Sequence, residues 1–328
     1  MWTILQPSLA SIRSLPALLV LALLVLSKAS AVGQEAASTS VRTPQEIATQ
    51  ILHLALHESV WGPAAFCSVR QSIELDQQRV SGFGKFVRAG EGSGKLKLSV
   101  QMPAGDVMNT VLQVSDGQRL HTVEDIGGKR RRSIVDLDKI RRRLIINNQS
   151  LHDPRIAMYL AIGGQAESLR RLSQRYEFFH IRSGTVGETP VWILTGRLAK
   201  TPPLIRAEAL SDATLFSPNQ SALLPTEVQV SIGKAEEGGS FPYWLYAVRQ
   251  ERSPEAVSDS NHRSRMLLVT EWSDPKPLVE IPERDFFYLA SNNDPIEDET
   301  KAYLPPAVNL ASLQHGQPPS ANHVPVAR

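Results

Sequence analysis

Residues 80–116 read VSGFGKFVRAGEGSGKLKLSVQMPAGDVMNTVLQVSD and carry the clearest fold signal in the chain. Within the stretch KLKLSV, residues 95–100, the apolar side chains of Leu96, Leu98 and Val100 alternate with polar ones. This period of two is typical of a β-strand with one buried and one hydrated face. The flanking runs GFGKFVR and NTVLQV are separated from it by AGEGSG and PAGD, whose Gly and Asp residues suit hairpin turns. The stretch therefore predicts three antiparallel strands.

The second half of the chain contains more strand-like runs, separated by turn-rich gaps. These runs are YEFFHIR (176–182), VWILTGR (191–197), TEVQVSIG (226–233), FPYWLYAVRQER (241–252) and RMLLVTEW (265–272). Several gaps are short, and parallel strands would need a crossover helix between each pair. An antiparallel meander is therefore favoured over a parallel sheet.

Helices are predicted in two places. Thr43, Pro44 and Glu46 form a capping-box pattern with proline at the first helical position, and apolar residues at helical spacing continue to about His57. A second helical region is predicted between residues 136 and 174. The fold class that follows is mainly β with some α.

The N-terminus has the order of residues found in a secretory signal peptide. The apolar run LPALLVLALLVL at 15–26 follows Arg13, and small residues stand at Ala29 and Ala31. A bilayer span needs about 20 apolar residues, so this shorter run favours export over a membrane anchor. We expect cleavage near Ala31 and a periplasmic or secreted protein.

The domain plan has four parts. A signal peptide over 1–31 precedes a linker of small polar residues over 32–43, one folded domain over 44–304, and a tail over 305–328. The tail is rich in Pro, Ser, Asn and Gln, a composition that predicts disorder.

Composition excludes several classes of protein. The 328 residues are 42% apolar and 21% charged, which is enough apolar mass for a packed core. The net charge of +2 falls to zero when the signal peptide, with Arg13 and Lys28, is removed. A neutral exported chain argues against nucleic acid as a partner. The single cysteine, Cys67, excludes an internal disulfide and multi-thiolate metal sites.

Motifs for catalysis and metal binding are weak. His53 and His57, followed by Glu58, stand at i and i+4, but two histidines leave a zinc site short of ligands. Cys67 in AAFCSV predicts a small core residue rather than a nucleophile. We therefore expect no metal, no cofactor and no enzymatic activity. An enzyme remains the third hypothesis, which would require histidines, carboxylates or Cys67 to converge in space.

The basic run KRRRSIVDLDKIRRR, residues 129–143, is the strongest local charge feature. Two aspartates interrupt it and it contains no aromatic residue on which a base could stack. We interpret it as a hydrated turn and helix face, with an anionic lipid headgroup or a partner protein as the alternative contact.

Alternating apolar residues in the strands predict a curved sheet with an apolar inner face, which either is filled by the protein or leaves room for an apolar ligand. The residues proposed to line such a cavity are Leu96, Leu98, Val100, Leu112, Val114, Trp192, Leu194, Val228, Val230, Ile232, Trp244, Tyr246 and Val248. The leading hypothesis is a carrier of acyl chains. The alternative is a structural or interaction module with a filled core.

The order of these segments resembles the periplasmic lipoprotein carrier (LolA-like) family over residues 43–288. The residues that carry the resemblance are Gly84 to Phe86 with Arg88, the hairpin Val114–Ser115–Asp116–Gly117, and Thr195–Gly196–Arg197. It implies an unclosed antiparallel β-barrel, a curved half-barrel sheet with helices covering its concave face. It also implies a cavity for the acyl chains of a lipid or lipoprotein, and membrane-associated donor and acceptor proteins.

The resemblance also singles out one basic residue. In the family a basic strand residue lies close to the mouth of the cavity, and Arg88 is its nearest match here. Because of this match, Arg88 is added to the predicted ligand-binding residues. The chain departs from the family at the next position, since the family's arginine is followed by proline and Arg88 by Ala89.

Overall fold

The computed structural model describes residues 42–75, 78–146, 156–199, 225–235, 241–252, 266–279, 282–288 and 295–305. The predicted signal peptide, the linker up to residue 41, the segment 201–223 and the tail after residue 305 lie outside these residues.

Strands account for most of the described chain. They are β1 Ala65–Leu75, β2 Gln78–Arg88, β3 Lys95–Ala104, β4 Val107–Asp116, β5 Arg119–Ile126, β6 Lys129–Asp136, β7 Tyr176–Val186, β8 Thr189–Leu198, β9 Glu227–Gly233, β10 Leu245–Arg252, β11 Met266–Pro277 and β12 Glu297–Asp298.

These strands form one sheet in the order β12-β6-β5-β4-β3-β2-β1-β11-β10-β9-β8-β7. Neighbouring strands are antiparallel, apart from the parallel pair β12 and β6. β12 and β7 stand at the two ends of this order, so the sheet is not closed. The predicted fold class, an unclosed antiparallel β-barrel, is confirmed.

Strand register identifies the residues that share the concave face. One row across the sheet runs through Val100, Gly84, Val69 and Trp272. The next row runs through Gln71, Thr270, Val248, Val230 and Leu194. Opposite residues of neighbouring strands lie on the same face, so both rows belong to one surface.

In the described part of the chain, four α-helices accompany the sheet: α1 Pro44–Trp61, α2 Leu137–Ile146, α3 Ala157–Leu160 and α4 Gly164–Arg175. α1 contacts β7, β9 and α4, while α4 also contacts β3. The capping box predicted for α1 is confirmed, since the Glu46 amide donates to Thr43 Oγ1 at 3.2 Å and the Thr43 amide donates to Glu46 Oε2 at 2.8 Å.

The start of α4 needs glycine. Gly164 has a φ of 54°, which disfavours other residues, and a Cβ at this position would lie 2.5 Å from the Phe86 ring. Because Phe86 is buried on the concave face, the missing side chain lets α4 approach the sheet directly.

The end of the domain wraps around one edge of the sheet. We call residues 282–288 and 295–305 the C-terminal strap. Its first part, with the 3-10 helix Glu283–Phe286, lies against β3 and β4 on the convex face, where Tyr288 stacks on His121 at a centroid distance of 5.1 Å. Its second part contains β12 and the 3-10 helix Thr300–Tyr303, which contacts α2 and β6.

The basic run at 129–143 includes the predicted helix face, but the structure has a strand where the sequence predicts a turn. Its first half is strand β6, and only its second half belongs to α2. Arg132 is buried on the convex face with its guanidinium 5.5 Å from the Tyr288 ring, and Arg131 bonds to Glu297 and Glu299. The strap therefore covers Arg132, which the sequence alone assigns to solvent, while Arg131 stays exposed beside its carboxylate partners.

Candidate functional site

Most of the predicted lining residues share the concave face. They are Leu96, Leu98, Val100, Trp192, Leu194, Val228, Val230, Ile232 and Val248. All of these except the half-buried Leu98 and Trp192 are buried. Side chains of α1, including Ile51, Leu52 and Leu56, belong to the same apolar cluster. The structure thus brings these residues together beneath the helices, and their contact with a ligand stays a prediction.

Leu112 and Val114 are on the opposite face, so their predicted place beside Leu96 is wrong. Leu112 pairs with Ser99 and Val114 pairs with Lys97, neither of which shares the face of Leu98. The strap explains the error, because it buries apolar residues on the convex side of this part of the sheet. Apolar alternation in β4 marks the face under the strap and not the face under the helices.

Two aromatic residues also depart from the predicted strand pattern. Trp244 precedes β10, which begins at Leu245. Tyr246 lies at the irregularity between Leu245 and Ala247, so it does not alternate regularly with Val248. Both aromatic side chains are buried.

Arg88 is buried at the C-terminal end of α1 and is 4% exposed. Its Nη1 donates to the Glu58 carbonyl oxygen at 2.7 Å, its Nε donates to the Pro63 carbonyl oxygen at 3.1 Å, and its Nη2 lies 3.4 Å from Glu58 Oε1. Its guanidinium also lies 5.0 Å from the centroid of the Trp244 ring. A cation at this end of a helix also interacts favourably with the negative end of the helix dipole. Arg88 thus attaches α1 to β2 through internal bonds.

Burial raises the pKa values of two groups around Arg88. It raises the pKa of Glu58, an effect that the neighbouring guanidinium only partly offsets. It also raises the pKa of Cys67 to about 12, although Arg88 acts in the opposite direction. Cys67 is 0% exposed, so its thiol remains protonated and shielded at neutral pH. These properties match a core cysteine better than a nucleophile.

One aromatic residue on the concave face was missed by the sequence reasoning. Trp272 of β11 is 3% exposed and pairs with Val69, while its carbonyl oxygen accepts a hydrogen bond from Trp244 Nε1 at 3.2 Å. Its own indole nitrogen is buried and has no hydrogen-bond partner in the part of the chain that the structure describes. The run RMLLVTEW is apolar on both faces, so its alternation does not single out Trp272.

The concave face becomes less covered toward one end of the central strands. Ile73 of β1 is 36% exposed, and Val80, Met102 and Leu268 on the same face are half-buried. By contrast, Val69 is fully buried closer to Arg88. Apolar side chains therefore line the concave face both beneath the helices and at a partly open end, with Gln71 and Thr270 between the two parts.

Two cavities lined by described residues lie away from the concave face. One of about 750 Å³ borders the polar exposed side of α1, including His53 and His57. The other, of about 340 Å³, lies on the convex face between residues such as Gln229, Arg249 and Val269. Within the described residues, no three His, Cys, Asp or Glu side chains are placed to hold a metal ion. No helix in that part of the chain is long and apolar enough to cross a membrane.

Comparison with known proteins gave matches among solved structures alone, because no family model and no curated protein matches the chain. LprF from Mycobacterium bovis is 13% identical with a TM-score of 0.35, over 74% of this chain and 98% of that one. A putative outer membrane lipoprotein-sorting protein domain from Vibrio parahaemolyticus is 11% identical with a TM-score of 0.30, over 74% of this chain and 97% of that one.

A third solved structure also matches the chain. The chain is similar to a LolA superfamily protein. That protein, NE2245 from Nitrosomonas europaea, is 10% identical with a TM-score of 0.25, over 73% of this chain and 97% of its own.

Proposed function

We propose that this chain is an exported, non-enzymatic carrier that shields the acyl chain of a lipid or lipoprotein on its concave face. The observation that carries the proposal is the largely apolar concave face, which extends from Leu194 and Val230, beneath α1, to Ile73 and Leu268 at the less covered end. Gln71 and Thr270 are the polar residues between them. An acyl chain that enters at this end would pass Gln71 and Thr270 and then meet the apolar side chains beneath the helices.

The energy for binding would come from removing the acyl chain from water, which is worth about 0.8 kcal/mol per methylene. Beneath α1 the surface is occupied by Ile51, Leu52 and Leu56. An acyl chain bound there would take the place of these side chains against the concave face. The face would then stay shielded from water when α1 is displaced. The helix would then act as the cover of the site.

A carrier of this kind works between two membranes and needs a partner at each. We therefore place the protein in the periplasm or outside the cell, after removal of the signal peptide, with membrane-associated donor and acceptor proteins. Nucleic acid is not a proposed partner.

The second candidate function is a structural or interaction module with a filled core. The observation in its favour is the burial of Leu194, Val228, Val230 and Ile232 against the helices, with at most 1% of each exposed. In such a module α1 would be a permanent part of the core, and no acyl chain would bind.

Lipid mass spectrometry and a ligand titration separate the two candidates. The exported full-length protein is purified, its organic extract is analysed for bound lipid, and the protein is titrated with a fluorescent fatty acid. The carrier predicts co-purified lipid and saturable binding at one site. A filled module predicts neither result.

A matched pair of variants tests which face binds. Leu98 and Leu112 are half-buried leucines on adjacent strands, and they point to opposite faces of the sheet. Leu98→Gln should weaken fatty acid binding about tenfold, whereas Leu112→Gln should leave it unchanged. An equal loss of fatty acid affinity in both variants would contradict binding on the concave face.

A further inference from the structure

The indole nitrogen of Trp272 is buried on the concave face and has no hydrogen-bond partner within the described residues. Buried polar groups in native proteins nearly always have a hydrogen-bond partner, and a buried group without one costs free energy. The indole of Trp244 shows the usual arrangement, since its nitrogen donates to the Trp272 carbonyl oxygen. The Trp272 nitrogen has no such acceptor within the described residues.

Two more polar side chains stand next to Trp272 on the same face. Gln71 and Thr270 are directly opposite each other on β1 and β11, and both are half-buried. Apolar residues, Val69 and Val248 among them, lie beside them in the two rows. A few polar groups within an apolar surface is the usual composition of a small-molecule site, where the polar groups fix the position of the ligand.

We infer that the Trp272 indole N–H donates a hydrogen bond to the carbonyl oxygen of an acyl ester or amide bound on the concave face. This inference rests on the proposed carrier function and names the part of the ligand that the site recognises. An indole is only a donor, so its partner must be an acceptor. A neutral carbonyl suits a buried position better than an anion, whose desolvation costs more. The hydrocarbon chain would then extend along the apolar rows.

The test compares two lipids that differ in one carbonyl group. These are 1-palmitoyl-lysophosphatidylcholine, which has an ester, and 1-O-hexadecyl-lysophosphatidylcholine, which has an ether at the same place. Each displaces a fluorescent fatty acid from the full-length protein, and the two dissociation constants are compared. The wild-type protein should prefer the ester about fivefold to tenfold.

Trp272→Phe should remove this preference, because phenylalanine keeps the ring and lacks the donor. Trp244→Phe is the matched control, since its indole already donates within the protein. Trp244→Phe should keep the preference for the ester even if it lowers the affinity for both lipids. The indole ¹H–¹⁵N resonance of Trp272 in the wild-type protein gives a second readout that does not require a variant to fold. It should shift with the ester lipid and not with the ether.

The outcomes separate this inference from the proposed function. Equal binding of both lipids by the wild-type protein, or an ester preference that survives in Trp272→Phe, would overturn the role of Trp272 alone. Binding of neither lipid to the wild-type protein would overturn the carrier function and this inference with it.

Discussion

Helices α1 and α4 cover the same concave face, but they are attached to the rest of the molecule in different ways. Among the described residues, the polar contacts of α1 with the sheet lie at its C-terminal end. Besides the bonds from Arg88, the amides of Glu91 and Gly92 donate to the carbonyl oxygens of Gly62 and Val60, each at 3.0 Å. The other end of α1 is capped by its own residues, Thr43 and Glu46.

α4 is attached near its start to two strands and to the strap. The Gly164 amide donates to Gln113 Oε1 at 2.8 Å, and Gln165 Nε2 donates to the Leu245 carbonyl oxygen at 2.9 Å. The carboxylate of Glu167 accepts bonds from the Gly163 amide at 3.0 Å and from the Tyr303 hydroxyl at 2.9 Å. The polar contacts of α1 thus lie at one end only, and we expect α1 to move about that end more readily than α4 moves.

The largest expected effect is at the C-terminal end of α1. Arg88→Met should lower the free energy of unfolding by about 3 kcal/mol, because it leaves the Glu58 carboxylate and two carbonyl groups without their buried donor. It should also loosen the C-terminal end of α1, so that the buried thiol of Cys67 near Arg88 reacts at least tenfold faster with a thiol reagent. Chemical denaturation and thiol-labelling rates measure the two effects.

Arg79→Met is the control, because it makes the same exchange at an exposed position on the same strand, β2. It should change neither the stability nor the labelling rate of Cys67 by a measurable amount. If Arg88→Met lowered stability while Cys67 labelling followed global unfolding alone, α1 would not move separately.

The second effect is at the attachment of α4. Glu167→Gln should lower the free energy of unfolding by about 2 kcal/mol, because it removes a buried charge that Arg170 and Arg171 face. It should not expose Cys67 before global unfolding. A labelling rate as high as that of Arg88→Met would show that α4 moves as readily as α1.

The effect of Glu167 should depend on pH. Burial opposes ionisation of this carboxyl group, but Arg171, Arg170 and the Tyr303 hydroxyl outweigh burial and lower its pKa. A lowered pKa in the folded state gives stability that is present above the ordinary value near 4.5 and is lost as the pH falls through the folded value. Denaturation at pH 7 and at pH 3 should show the wild-type advantage over Glu167→Gln shrinking at the lower pH.

A smaller effect is expected where the strap meets α4. Tyr303→Phe removes the hydroxyl that donates to Glu167 and keeps the ring, whose centroid lies 4.9 Å from the Arg170 guanidinium. Loss of one hydrogen bond to a charged group should cost about 1.5 kcal/mol in the free energy of unfolding. An unchanged denaturation midpoint would mean that the strap does not hold α4.

The smallest effect is expected at the edge of the sheet. Arg131→Gln removes ion pairs with Glu297 and Glu299, but the Arg131 and Glu297 side chains are largely exposed to solvent. Such pairs contribute about 0.2–1 kcal/mol, and salt screens them. The variant should lose less stability than Tyr303→Phe, and the loss should shrink in 0.5 M salt. A loss above that of Glu167→Gln would make the edge contact the main attachment of the strap.

The strands and α1 could be predicted because their signals are local. The alternation of Leu96, Leu98 and Val100 with polar neighbours and the capping box at Thr43 each depend on a few adjacent residues. The face of β4 could not be predicted, because the strap that buries Val114 comes from more than 150 residues later in the chain. Alternation reports that one face is buried and does not report what covers it.

The candidate site, like the fold, was predictable only where its signal is local. The apolar residues of β3, β8 and β9 were found from their alternation. The internal bonds of Arg88 depend on the position of α1, which is 25 to 30 residues away in sequence. The isolated donor of Trp272 depends on every neighbour of its ring, so no local pattern could indicate it.

Photo-crosslinking on β11 tests the central claim most directly, because adjacent residues of this strand face opposite sides of the sheet. Leu268 and Thr270 point to the concave face, whereas Leu267 and Val269 line the convex cavity. A fatty acid with a diazirine near its carboxyl end is bound to the full-length protein and irradiated, and the adducts are mapped by peptide sequencing. The carrier account predicts adducts on concave-face residues such as Leu268, Ile73 and Met102. Adducts confined to Leu267 and Val269, or none at all, would contradict it.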